Sequence, residues 1–417
     1  MKLCVIGAGY VGLALSLELG KYFDTICYDI DKKKINHLKN LKDITNEFTE
    51  DQIKKSKNLI FTHSKKDLVA DVFFITVGTP INALNLPDLT AIENATILVA
   101  KCLKKGAIVV YESTVYPGVT EDFCRNILEK KSNLKYKKDF YLAYSPERIN
   151  PGDKKMTISK IKKVVSADDV YSLNIIKKIY KKIIKAGIHI APNIKTAEAS
   201  KVIENTQRDI NIALINELSI IFDKMNINTK EVLEAASTKW NFINLKPGLV
   251  GGHCISVDPY YLTYKSETLG YLPTLIHSGR KINEFMPIHI MNKIDKFNPS
   301  LKKVIILGFS FKENCSDIRN TKVYNLYNES IRRGYEVSIY DPEVDKRSVY
   351  YEYNITLEND LNFSNFDIII YAVNHSSLNE KIKQNKDNFN EDVIFFDIPN
   401  SFSKSDFAST KSIYLSL

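Results

Sequence analysis

Residues 2–12 read Lys2-Leu3-Cys4-Val5-Ile6-Gly7-Ala8-Gly9-Tyr10-Val11-Gly12, an apolar strand running straight into Gly-x-Gly-x-x-Gly. In such a turn Gly7 permits the tight bend, Gly9 lets a pyrophosphate approach bare backbone, and Gly12 lets the following helix pack on the strand. A helix expected over 13–22 offers unpaired amides and a partial positive charge to the phosphates. A second strand over 25–29 closes a βαβ unit. Asp29 at its end is placed to accept the adenosine ribose hydroxyls and to repel a 2′-phosphate, which favours NAD over NADP. Lys32-Lys33-Lys34 works the other way, because basic residues there can hold a phosphate. Tyr10, Val11 and Lys34 join the three glycines and Asp29 as cofactor-binding candidates.

Working outward, further apolar strands are expected over 72–77, 108–111, 141–144 and 163–166, with helical stretches between. That alternation argues a parallel, doubly wound α/β sheet. Thr76 and Thr79 in Thr76-Val77-Gly78-Thr79-Pro80, and Thr114 in Glu112-Ser113-Thr114, close strands on the carboxyl edge, where such sheets bind ligands. Near Pro192 the pattern changes. Residues 195–225 form one helical run without Gly or Pro, and helix continues through 236. Its apolar positions (Val202, Ile203, Ile210, Ile212, Leu214, Ile215, Leu218 and Ile221) exceed what one buried flank needs, which predicts a homodimer. A second α/β pattern begins at 303–308 and continues with strands over 336–341, 367–373 and 393–397. It echoes the first, as strand, glycine, helix, and strand ending Tyr340-Asp341 where the first ends Tyr28-Asp29, but its turn reads Gly308-Phe309-Ser310-Phe311-Lys312. Only the first half should bind a dinucleotide through this turn, leaving the second for another nucleotide-like ligand. The division is therefore 1–190, an NAD-binding Rossmann domain; 191–299, a helical middle segment; and 300–417, a second Rossmann-like domain.

The chain has 417 residues, 44% hydrophobic and 26% charged, as in ordinary globular proteins of two or three domains. Its formal charge of +9 comes from scattered lysines and suits a small anionic substrate better than nucleic acid, for which no motif is present. Cysteines 4, 27, 102, 124, 254 and 315 lack paired spacing. Together with the absence of a signal peptide or an apolar span, they imply reduced thiols and a cytoplasmic enzyme that does not enter the membrane. No metal site is expected.

One of those cysteines lies in Gly251-Gly252-His253-Cys254-Ile255-Ser256-Val257-Asp258-Pro259. Paired glycines let backbone approach a ligand, and a carboxylate follows the thiol by four residues. A thiol so placed can add to an aldehyde; a further hydride loss from the thiohemiacetal leaves a thioester for water to cleave.

With GAGYVGL, TVGTP, ESTVYPG, SPER, GGHC-x-x-x-D and FK-x-x-x-x-D-x-R in this order, the chain resembles the nucleotide-sugar 6-dehydrogenase family from about residue 2 to about residue 375. The resemblance implies two Rossmann-like domains joined by a long dimer-forming helix, and NAD-dependent four-electron oxidation of C6 of a UDP-sugar. It implies Cys254 as nucleophile, Asp258 as a carboxylate that positions water and handles the thiol's proton, and Glu147 as the group serving hydrolysis. Lys201 and Asn205, four apart on the long helix, would share one face and stabilise the C6 oxyanion. Arg148, Lys246, Gly251 and Lys312 are implied on the nucleotide-sugar, with Glu147, Lys201 and Asn205; Thr114 and Arg319 are implied near the cofactor. His253 is either a pocket wall or a proton-handling group.

His253 and Ile255 around Cys254, with Asp258-Pro259-Tyr260-Tyr261 after it, resemble the branch acting on UDP-N-acetylglucosamine or UDP-N-acetylgalactosamine, whose products enter capsule, O-antigen or similar polysaccharides. Ser256 departs from the glycine common there. UDP-glucose and UDP-N-acetylmannosamine are the alternative substrates. A non-catalytic sensor of NAD and nucleotide sugars is the alternative class, although it would leave a thiol nucleophile idle.

Overall fold

The computed structural model describes residues 1–45, 47–149, 155–297 and 302–417. The chain forms two compact units, Met1–Glu204 with Tyr260–Tyr271, and Asn205–Pro259 with Leu272–Leu417. Residues 191–299 are thus shared between the two.

In the first unit, β1 (Lys2–Ile6), β2 (Asp24–Tyr28), β3 (Leu59–Thr62), β4 (Val72–Ile75), β5 (Ala107–Tyr111), β6 (Phe140–Tyr144), β7 (Lys163–Ala167) and β8 (Ile188–Ile190) form one sheet. Its order is β3-β2-β1-β4-β5-β6-β7-β8. The strand order reverses between β1 and β4, the switch point at which doubly wound sheets open a ligand crevice. The β6–β7 pair is antiparallel, a departure from the all-parallel expectation. Both faces are covered, so the strands read as continuous apolar runs rather than alternating ones. Cys4, Ile6, Phe73, Ile75, Val109 and Tyr111 pack on one face; Leu3, Val5, Val72, Phe74, Ile108 and Val110 pack on the other.

The first helix spans Tyr10–Leu19 with Gly9 as its N-cap. It starts three residues before the sequence pattern suggested, because the glycine turn is itself the helix N-terminus. A β-carbon at Gly12 would lie 1.8 Å from the Gly7 carbonyl oxygen and 2.4 Å from Thr76 Oγ1. Thr76 Oγ1, at the end of β4, donates to the carbonyls of Ile6 and Gly7, each at 3.0 Å.

In the second unit, β9 (Lys303–Leu307), β10 (Glu336–Tyr340), β11 (Ile368–Tyr371), β12 (Ile394–Asp397) and β13 (Ile413–Ser416) form a parallel sheet in the order β10-β9-β11-β12-β13. The echo read from sequence persists in the hydrogen bonds. Gly7 N donates to Tyr28 O at 2.8 Å, and Gly308 N donates to Tyr340 O at 2.9 Å. Ala8 N donates to Asp29 Oδ2 at 2.8 Å, and Phe309 N donates to Asp341 Oδ2 at 2.5 Å. There the copies part. Phe309 is fully buried, and the next helix begins only at Val323.

The helix Ile194–Met225 belongs through Glu204 to the first unit and from Asn205 to the second. In the second unit, Asp209 and Asn216 on this helix anchor a buried polar chain. Arg280 Nη1 donates to Asp209 Oδ1 at 2.6 Å, Asn283 Nδ2 donates to the same oxygen at 2.8 Å, and Asn216 Nδ2 donates to Asn283 Oδ1 at 2.8 Å. Asn216 also pairs with the backbone of Gly248, at 2.8 and 3.1 Å, and so fixes the approach to the Gly251-Gly252 turn. No described helix is long and apolar enough to cross a membrane.

The two glycines of the first turn predict opposite stability effects. Gly12→Ala should cost about 3 kcal/mol or more, because the obstructing atoms are backbone. Gly9→Ala, with nothing within 4 Å of its would-be β-carbon, should cost less than about 1 kcal/mol. Urea unfolding of the two variants measures both; equal losses would show that the turn relaxes around an added carbon.

Candidate active site and cofactor turn

The first unit gathers the cofactor candidates Gly7, Gly9, Tyr10, Val11, Gly12, Asp29, Lys34, Thr76, Thr79 and Thr114, together with Glu147, Arg148 and Lys201. The turn suits a dinucleotide. The space over Gly9 is open, and no side chain caps the helix that Gly9 begins. Asp29, directly after β2, accepts from Ala8 N and from Asp31 N at 2.9 Å, which fixes its carboxylate beside the glycine turn. Lys34 pairs with Asp29 at 3.0 Å, so its charge is engaged by the carboxylate it was thought to oppose.

Glu147 follows β6. Its Oε1 accepts from the amides of Arg148 and Ile149, both at 2.6 Å, and its Oε2 accepts from Lys163 Nζ at 3.2 Å. Lys163, on β7, also donates to Glu112 Oε2 at 2.6 Å, and the Tyr180 hydroxyl donates to Glu112 Oε1. Burial pulls the Lys163 ammonium down, but Glu112 and Glu147 outweigh it and hold its pKa above the ordinary lysine value. Neither Lys163 nor Tyr180 was singled out from sequence; a lysine in Ile161-Lys162-Lys163-Val164 looks like any solvated strand end. Arg148 Nε donates to Glu204 Oε1 at 2.8 Å, so its guanidinium is already oriented by a carboxylate of the long helix. Lys201 is buried. Three residues earlier, Glu198 accepts from Gly118 N at 2.6 Å and Thr120 N at 2.9 Å. Burial pushes its carboxyl up to about 7 against those two hydrogen bonds.

The second unit gathers Asn205, Lys246, Gly251, Cys254, Asp258, Lys312 and Arg319. Asn205 Nδ2 donates to Asp258 Oδ2 at 2.6 Å, which joins two of the catalytic candidates directly. Asp258 opens the helix Asp258–Thr268, and its amide donates to the Cys254 carbonyl at 2.8 Å, setting thiol and carboxylate one turn apart. A β-carbon at Gly251 would meet Asn320 O at 2.8 Å, and one at Gly252 would meet the Phe311 ring at 2.7 Å. The paired glycines let the cysteine loop seat on the protein's own chain. His253 packs edge-on against Phe311, with ring centroids 6.0 Å apart, and its Nδ1 lies 3.8 Å from Asp317 Oδ2. Asp317 also receives Arg319 in bidentate fashion, Nε at 2.9 Å and Nη2 at 2.5 Å. Burial pushes the Asp317 carboxyl up, but Arg319 wins and holds it below the ordinary value. Lys312 Nζ stands 5.4 Å over the Phe311 ring, while Lys246 is exposed. Among the described residues no His, Cys, Asp and Glu cluster suited to a metal ion occurs.

Comparison with known proteins bears on the same segments. Three models of the UDP-glucose/GDP-mannose dehydrogenase family match in order: the NAD binding domain over residues 1–184, the central domain over 195–285 and the UDP binding domain over 305–404. The chain is 46% identical to UDP-N-acetyl-D-glucosamine 6-dehydrogenase of Salmonella typhi, covering 94% of each chain. It is also 46% identical to protein CapL of Staphylococcus aureus, covering 95% of each. Among solved structures, a UDP-D-ManNAc dehydrogenase from Pyrococcus horikoshii superposes with a TM-score of 0.88 at 28% identity, covering 100% of this chain and 99% of that one. With its dinucleotide turn, its cysteine loop and three consecutive domain models in agreement, the chain belongs to the UDP-glucose/GDP-mannose dehydrogenase family and carries that family's NAD-binding domain.

Proposed function

We propose that this protein oxidises C6 of UDP-N-acetylglucosamine or its C4 epimer to the carboxylate, with Cys254 as covalent nucleophile, in the cytoplasm and for surface polysaccharide synthesis. The observation that carries the mechanism is the chain Cys254–Asp258–Asn205: the thiol heads the turn into Asp258, whose carboxylate takes the Asn205 amide at 2.6 Å. The sugar is supported by the names of the relatives at 46% identity, and the compartment by six free cysteines.

Bound NAD supplies hydride acceptance from C6 at each of the two oxidations. The rest falls to side chains. Lys201 and Asn205, one turn apart on the helix Ile194–Met225, stabilise the C6 oxygen as charge develops. One N–H of the Asn205 amide is taken by Asp258, leaving the other for that oxygen. Cys254 Sγ adds to the C6 aldehyde, forming a C–S bond and passing its proton to the aldehyde oxygen through Asp258. Loss of the second hydride leaves a thioester. Glu147 then takes a proton from water as the hydroxyl attacks the carbonyl carbon. The C–S bond breaks, and the proton returns to the departing thiolate.

We also infer a homodimer through the long helix. Ile203, Leu214, Ile221 and Met225 are each 43–57% exposed, and their separations of 11, 7 and 4 residues set them on one helical face. A second copy of the same stripe is the partner that covers it.

Cys254→Ser should fold and bind NAD yet lose turnover to the acid, because serine is a far poorer nucleophile at neutral pH. Two NADH per UDP-sugar at close to native speed from this variant would disprove the covalent route. Lys201→Met should slow the first oxidation by about 10²–10³-fold, the usual loss of one oxyanion stabiliser. In a cofactor assay, Asp29→Ala should narrow the preference for NAD over NADP; equal use of both by the native enzyme would remove that role from Asp29. Leu214→Asp should shift light scattering from dimer to monomer mass, and a native monomer at working concentration would rule the interface out.

A further inference from the structure

Among the described residues, only two lysines are buried, Lys201 and Lys163, in a chain with 58 Lys and Arg. Burying an ammonium is costly unless it is paired and hydrogen-bonded. Lys163, its side chain 3% exposed, has two carboxylate partners: Glu112, closing β5, at 2.6 Å and Glu147, after β6, at 3.2 Å. Its Nζ also stands 5.4 Å from the centre of the Tyr180 ring, on the helix Val170–Ile183, whose hydroxyl holds the far oxygen of Glu112. The groups facing Glu147 are therefore Lys163 from β7, Glu112 from β5, Tyr180 from the helix and its own neighbour Arg148, which is turned toward Glu204.

A carboxylate oxygen accepts through two lone pairs. Two backbone amides occupy those of Glu147 Oε1, whereas Lys163 uses one on Oε2. We propose that Lys163 is a positioning residue for thioester hydrolysis: it anchors Glu147 through Oε2 in a buried ion pair and leaves the second lone pair of that oxygen as the acceptor of water's proton. This rests on the reading of Glu147 as the hydrolytic base. Lys163 touches neither water nor thioester; it acts through Glu147. Glu112 competes for the same ammonium and weakens the hold on Glu147. The two neighbours therefore have opposite signs, which a merely structural cluster would not show.

The test is the pH dependence of NADH formation from UDP-N-acetylglucosamine and NAD, with intact-protein mass spectrometry of the reacting enzyme. Lys163→Met should move the acid limb up by about one to two pH units, a loss of tenfold or more near pH 6.5 that disappears at high pH, with a sugar adduct accumulating on Cys254. Lys163→Arg should restore the native limb. Glu112→Gln, which keeps the buried lysine paired with Glu147, should move the limb the other way, to lower pH, and it carries the test if Lys163→Met fails to fold. Unmoved limbs in these variants, with rates lowered by one factor at every pH, would overturn the inference. Glu147→Gln distinguishes the two levels. If it loses hydrolysis while the limbs stay put, only the role of Lys163 falls; if it keeps the native rate, both readings fall.

Discussion

The α-carbon of Gly12 and the carbonyl of Gly7 press together with no room for a β-carbon, and the first unit is organised by that contact. It forces the chain from β1 into a helix within three residues, so the helix N-terminus lies at the end of the strand at the switch point of the sheet. Neighbouring strands then lock the turn: Asp29 after β2 takes the Ala8 amide, and Thr76 after β4 takes the carbonyls of Ile6 and Gly7. The second unit follows the same path as far as Gly308 and its Asp341 contact, then diverges. Phe309 is buried, and the imidazole of His375 lies 3.1 Å from Ser310 Oγ and 3.3 Å from Asp341 Oδ2. One copy leaves its backbone open to an anion; the other closes the equivalent space with its own side chains. That difference is why one scaffold can carry an NAD-binding domain and a UDP-binding domain in a single chain.

A second constraint is the burial of polar groups in the long helix. Asp209 and Asn216 lie on its buried side, and each is committed to a chain of bonds through Arg280 and Asn283 that ends on the backbone of Gly248. Removing one member would leave the others buried and unsatisfied, which costs more than the bond itself. The loop before the cysteine is therefore specified by polar groups as well as by the apolar packing of Leu249 and Val250. The cysteine loop itself is held differently, by two glycines that let it lie against Phe311 and Asn320.

The central strands were legible because they are buried on both faces and rich in Val and Ile, and the turn because its glycines are spaced by geometry. The edge strands β3 and β13 were not. Ile60 in β3 is 62% exposed, and β13 is only partly buried along its length, so neither has the apolar run that marks a parallel strand. The first helix was placed three residues late because glycines read as loop when only periodicity is followed. Motif residues such as Cys254 and Asp258 could be named from order and spacing. The buried polar pairs could not, since the contacts of Asp209 with Arg280 and of Glu112 with Lys163 join positions 71 and 51 residues apart. Pairings at that distance leave no local pattern. The packing role of Gly251 and Gly252 was hidden for the same reason: the atoms they make way for belong to residues 311 and 320–322.

Lysine is where composition misleads most. A charge of +9 spread over scattered lysines describes a solvated surface, and for nearly every described lysine that is what the structure shows. The two buried exceptions have the same residue type and different surroundings. Lys163 sits between two carboxylates, a pairing that offsets its desolvation. Lys201 is on a helix face one turn from Asn205 and, in the reaction proposed above, its removal from water would strengthen the field of its ammonium at a developing oxyanion. An exposed lysine could do neither, because water would screen the charge in both tasks. Burial, rather than charge, is therefore what separates these two from the lysines around them, and burial is the property a single sequence states least directly.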